Sequence, residues 1–142
     1  MADQVVLLHG GRIEQDAPPA DLYARPATVF AARFIGTPPM NILAAPGLPD
    51  LKLGIRPEHV RFVDRGGIDA VVQSAEYLGA DTVVTCSTSA GGVLADTIAA
   101  RVPGRCTFGA GERVRLAWSA GDSHHFDHAT GKRRDDIVSV PV

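Results

Sequence analysis

A chain of 142 residues, 45% of them hydrophobic, has enough apolar side chain for one packed domain, or for one small domain plus a piece of another. A balance of 14 basic against 16 acidic residues and only 6% aromatics argue against the basic, aromatic face of a nucleic-acid-binding barrel. No apolar run approaches the roughly 18 residues of a membrane helix, and the start, MADQVVLLHGG, lacks the basic region and cleavage site of a signal peptide; the chain reads as soluble and cytoplasmic, with no nucleic-acid partner and no direct membrane insertion.

In chain order, Val5-Val6-Leu7-Leu8 is a continuous apolar run that predicts a buried strand. His9-Gly10-Gly11 supplies a turn, and Arg12-Ile13-Glu14-Gln15 pairs back as the second strand of a hairpin. A buried strand needs a sheet around it, so this hairpin points to a larger missing domain or to pairing with another chain. Pro19 opens a short helix and Pro26 ends it. Thr28 then caps a second helix over 29–35, with Val29, Phe30 and Phe34 on its apolar face and Gly36 as its stop. Thr37-Pro38-Pro39-Met40-Asn41 reads as an extended linker of fixed direction.

From Leu43 onward the period changes to two. Strands are expected at 51–55, 59–63, 68–77, 82–88, 93–102 and 113–118, and a last hairpin joins 124–127 to a strand after Gly131. Ser89-Ala90-Gly91-Gly92 is a hairpin turn signal between two of them. Six or seven short strands at this spacing predict a mainly β fold, a small barrel or sandwich. Cys86 and Cys106 lie in or near strand-like stretches without a C-x-x-C, and read as small core hydrophobes.

Three kinds of chemistry can be weighed on the residues. A phosphate-cradling loop needs G-x-x-x-x-G-K-[ST]; here Gly131-Lys132 is followed by Arg133 with no glycine five before, and Gly10-Gly11 precedes no long helix. No nucleotide is therefore expected on this chain, and neither a cofactor nor a metal is assigned to it. His124, His125, Asp127 and His128 are the sharpest metal candidates, but on a strand His124 faces away from His125 and Asp127, and Asp127-His128-Ala129-Thr130-Gly131 reads better as a turn. Ser87 or Ser119 with His125 and Asp127 lacks a G-x-S-x-G elbow, so no catalytic residue is assigned. The segment Gly54-Ile55-Arg56-Pro57-Glu58-His59-Val60 is expected to be a charged strand corner: Pro57 pushes Arg56 to an extended conformation, and Arg56 can pair with exposed Glu58 across the bend.

Several stretches, in order along the chain, resemble one family. Residues 2–15, Pro19-Ala20-Asp21-Leu22-Tyr23-Ala24-Arg25-Pro26, Phe34-Ile35-Gly36-Thr37-Pro38-Pro39-Met40-Asn41, the 54–60 corner, Glu76-Tyr77-Leu78-Gly79-Ala80-Asp81 and residues 125–133 are similar to the C-terminal part of the ATP-binding subunit of carbohydrate-type ABC importers, the maltose and glycerol-3-phosphate branch. The resemblance implies that 1–41 is a terminal hairpin and helical linker left from a nucleotide-binding domain. It implies that 42–138 is a TOBE-like regulatory domain, an OB-like β-barrel, with 139–142 as a tail. It further implies a regulatory and homodimerising role without catalysis by this chain, at the inner face of the membrane, beside permease and nucleotide-binding domains. Walker, signature and switch-histidine motifs belong to the upstream domain, and none of their residues is found here. Arg56, Glu58 and His59 then mark a corner that partners touch. An alternative is a small-oxyanion module at a subunit interface, with backbone N–H groups near Gly79, Ser87, Thr88 or 109–111 as the nest. One departure is the short stretch 42–53, where the family has a longer segment; a shortened barrel is expected to expose strand edges and so to seek partners.

Overall fold

The computed structural model describes residues 4–36, 38–44, 50–88 and 97–136. Strands β1 (Val5–His9) and β2 (Arg12–Ala17) form the expected antiparallel hairpin. Helices α1 (Pro19–Ala24) and α2 (Val29–Phe34) follow. Proline fills the first position of α1, where a missing N–H costs nothing. Thr28 Oγ1 accepts from the Ala31 N–H at 3.1 Å and so caps α2.

The apolar faces of this part differ from the sequence expectation. Only Leu7 of the first run is buried; Val6 and Leu8 are 49% and 64% exposed, and Ile13 opposite Leu8 is 64% exposed. A two-stranded sheet has one covered face, so alternate residues of an all-apolar run must point outward. On α2 the buried residues are Ala31 and Ala32, whereas Phe34 lies outside at 61% exposure. Small side chains let the helix approach β1 and α1 closely: Ala31, Leu7 and Leu22 make the core of this unit. Phe30 stacks flat on His9, ring centres 4.1 Å apart, and pins the hairpin to the helix.

The remainder is β. A three-stranded sheet has the order β10–β4–β3, where β3 is Asn41–Ala44, β4 is Leu51–Ile55 and β10 is Ser123–Asp127. A five-stranded sheet has the order β5–β9–β6–β7–β8, from Arg61–Phe62 (β5), Ile68–Tyr77 (β6), Asp81–Ser87 (β7), Thr97–Pro103 (β8) and Arg113–Ala117 (β9). Every pairing is antiparallel. The two sheets enclose one apolar core that includes Leu43, Leu53, Ile55, Val84, Ile98, Leu116 and Trp118, giving the nearly closed barrel that the pattern predicted. Cys86 is buried in this core and Cys106 packs against it; both are free thiols, and burial pushes Cys86 up to about 11, out of reach of ordinary thiolate chemistry.

β3 adds a strand that begins at the last residue of the stretch read as linker, whereas the expected strand at 59–63 is shortened to β5 behind a 3-10 turn, Pro57–His59. The strand expected after Gly131 is present only as isolated bridges at Lys132 and Arg133. The turn signal at 89–92 lies outside the described residues.

Two of the described sheet edges are met by other parts of the chain. Asn41, at the outer edge of its sheet, donates from Nδ2 to Ala99 O and accepts from Ala99 N, both at 2.9 Å. Its side-chain amide thus supplies the backbone partner that edge strand β8 lacks, and joins the two sheets at one seam. The free side of β10 is covered at Arg133–Arg134, where Arg134 N donates to His125 O.

Candidate functional site

Pro57 fixes the backbone just after β4, and the chain turns through the 3-10 segment. This turn packs beside β8. The three expected corner residues have three different placements: Glu58 is exposed, His59 is half-buried, and Arg56 is only 2% exposed. Arg56 points inward and does not reach for Glu58. Its Nη1 donates to Ile35 O at 2.7 Å and Ala32 O at 3.2 Å, and its Nη2 to Tyr23 O at 2.9 Å. The guanidinium also lies 4.3 Å from the centre of the Tyr23 ring.

This geometry has a clear physical logic. A helix leaves its last carbonyls without N–H partners, and the end of α2 offers those of Ala32 and Ile35. A cation is favoured at that negative end of the helix. The planar fork of arginine holds its donors in fixed, separated directions that match carbonyls from two helices, whereas the three donors of an ammonium radiate from a single atom. Gly36, at φ +102°, turns the chain away immediately afterwards, and a Cβ there would sit 3.3 Å from Arg56 Nη1. Burial lowers the guanidinium's pKa. Arg56 Nε and His59 Nδ1 are buried without a hydrogen-bond partner.

A second polar group lies beside the first. Asp127 begins a turn, its Oδ1 accepting from Ala129 N and Thr130 N, and Gly131 N returns to Asp127 O. The chain then runs back across the helical segment: Val29 N donates to Gly131 O, and Arg133 N to Ala27 O. Arg133 Nη1 contacts His124 Nδ1 at 3.0 Å, its Nε donates to Asp135 Oδ1 at 2.7 Å, and Asp135 also pairs with Arg25. Burial first, then the charges of Arg133, Arg56 and His59, pull His124 down to about 4, and Asp135 opposes them. A neutral His124 is the acceptor that Arg133 needs.

The metal candidates are dispersed by this arrangement. His124 faces Arg133, His125 is buried, Asp127 holds its own turn with Arg134 3.6 Å away, and His128 is exposed. Of the oxyanion positions, Gly79 precedes β7 and Ser87 is its last residue, at the opposite end, and the Gly111 N–H is used by Val72 O. The contributions of Tyr23, Asn41, Arg25 and Asp135 went unread in the sequence; the one available signal was a charged residue, Arg56, directly between buried Ile55 and Pro57.

Residues 53–126, which include the corner, match the TOBE domain family. The chain belongs to that family. This TOBE chain is also similar along nearly its whole length to sn-glycerol-3-phosphate import ATP-binding proteins UgpC. It is 38% identical to that of Cereibacter sphaeroides and 40% identical to UgpC 3 of Agrobacterium fabrum, each over 94% of the chain. It is 36% identical to that of Brucella abortus over 96% of the chain. The chain spans 43% of the length of these relatives. The first alignment runs over 155 positions, more than the 142 residues available, so that relative carries residues this TOBE chain lacks. The resemblance to the C-terminal part of an importer's ATP-binding subunit therefore holds. Among the described residues no helix is long and apolar enough to cross a membrane.

Proposed function

We propose that this chain is the regulatory and dimerising part of the ATP-binding subunit of an ABC importer of the sugar or glycerol-3-phosphate type, and that by itself it carries out no catalysis. The observation that carries the reading is the 38% identity over 94% of the chain to a glycerol-3-phosphate import ATP-binding protein, with the TOBE match inside it. ATP binding, the permease partners and the cytoplasmic station beside the membrane belong, in this reading, to the longer protein.

Two features support it. The outer face of the β1–β2 hairpin carries Val6, Leu8 and Ile13, all about half exposed or more. A lone hairpin is marginal in water, and an apolar outer face suits packing against the rest of such a subunit. At the corner, Arg56 faces inward while Glu58 faces out. In this reading Arg56 shapes the corner, Glu58 meets the partner, and half-buried His59 follows at its rim.

The reading predicts that the purified, untagged chain with magnesium and ATP releases phosphate no faster than buffer. Saturable ATP hydrolysis that tracks the chain through purification would overturn it.

A further inference from the structure

We infer that Arg56 is a mechanical coupler, fixing α1 and α2, and with them the β1–β2 hairpin, to the barrel as one moving body. Its regulatory consequence rests on the reading above: a force applied to the barrel is then delivered to the hairpin. The coupling itself does not depend on that reading.

The stem of Arg56 leaves the end of β4, the central strand of the three-stranded sheet. Its head is gripped by α1 through Tyr23 O and the Tyr23 ring, and by α2 through Ala32 O and Ile35 O. One side chain therefore touches both helices and is rooted in the barrel. The helical unit's own apolar cluster is centred on Leu7, Leu22 and Ala31, and α2 meets the sheet through Ala32 and Val29, which pack with Met40, Ile42 and Phe126. The polar ties to the barrel are few, and Arg56 is the first of them. The second connection is the 131–135 strap, joined to the helical segment through Val29, Ala27 and Arg25. The hairpin in turn is fixed to this segment by the His9–Phe30 stack and by Gln15, whose Oε1 accepts from Ala27 N. A continuous set of contacts thus runs from β4 through Arg56 to the hairpin.

The fork is the essential feature, more than the charge. Lysine at 56 keeps a cation and most of the stem, but it loses the separated, fixed donors that match carbonyls on both helices and the flat face that lies over Tyr23. Hydrogen exchange followed by mass spectrometry on the 142-residue chain tests the coupling. In Arg56→Lys, peptides covering 19–36 should exchange about tenfold faster, while peptides covering 81–88 and 113–118 change by less than about twofold. Tyr23→Leu keeps the carbonyl and removes the ring, and should accelerate the same 19–36 peptides by a smaller factor. Unchanged exchange at 19–36 would overturn the coupling. So would a uniform acceleration of barrel and helices, the mark of a side chain that merely stabilises the whole fold. Exchange in this chain is independent of ATP hydrolysis, so this inference and the proposed function fail separately.

Discussion

The barrel and the hairpin–helix unit are neighbours built on different terms. The barrel buries Leu, Ile, Val and Trp side chains from both sheets in one cluster, and Asn41 stitches its seam. The hairpin–helix unit has a much smaller apolar cluster, and a few apolar contacts of Ala32 and Val29 with Met40, Ile42 and Phe126, together with polar contacts to backbone carbonyls, fix its place. A large core positions its strands by itself; a small one needs directional bonds to fix its place. Arginine suits that task because its hydrogen bonds keep a direction that apolar contact lacks.

The largest test of this contrast removes Trp118, buried at the centre of the barrel cluster. Trp118→Ala should cost about 3–5 kcal/mol and lower the urea midpoint of the whole chain, read by far-ultraviolet circular dichroism. Leu22→Ala, in the smaller cluster, should cost ~2–3 kcal/mol and act locally, so that exchange rises over 5–36 with the barrel protected. Equal loss of protection in the barrel would show that the two parts form one cooperative core. Thr28→Ala removes the cap of α2 and should cost ~1 kcal/mol, measurable as faster exchange at Ala31.

The pH dependence reports on β10 and the strap beside it. His124 is held near 4 in the fold, against an ordinary value of 6.5 in the unfolded chain. Between those values the unfolded chain binds the proton and the folded chain does not. Stability is therefore full above about 6.5 and is lost as pH falls through that window to about 4. His125 is shifted in the same direction, by burial and then by Arg133. His124→Gln should flatten part of the slope of urea midpoint against pH, and an unaltered slope would remove His124 from the account. The smallest effect is expected on the barrel surface. Arg101 and Asp81 pair at 2.7 Å but remain 38% and 28% exposed, so Arg101→Ala should cost no more than ~1 kcal/mol.

Much of this architecture was readable in the residues. β6 and α1 follow directly from alternation and from proline placement, and the cap at Thr28 from residue type. What escaped was whatever depends on a distant backbone. The carbonyls that hold Arg56 lie 21, 24 and 33 residues away, and a free carbonyl leaves no mark in a sequence. An arginine beside proline and glutamate therefore resembles a solvated corner. Asn41 poses the same problem: its partner, Ala99, is 58 residues distant. The run 5–8 misled for another reason. Hydrophobicity reports that a strand wants covering, and says nothing of which face the chain itself covers. Val6 and Leu8 are the exposed remainder.

Sedimentation equilibrium of the purified chain across a wide concentration range tests the central claim, that it works by association, most directly. The account predicts a reversible shift from monomer to dimer mass as concentration rises. A single monomer mass at the highest concentration would contradict it.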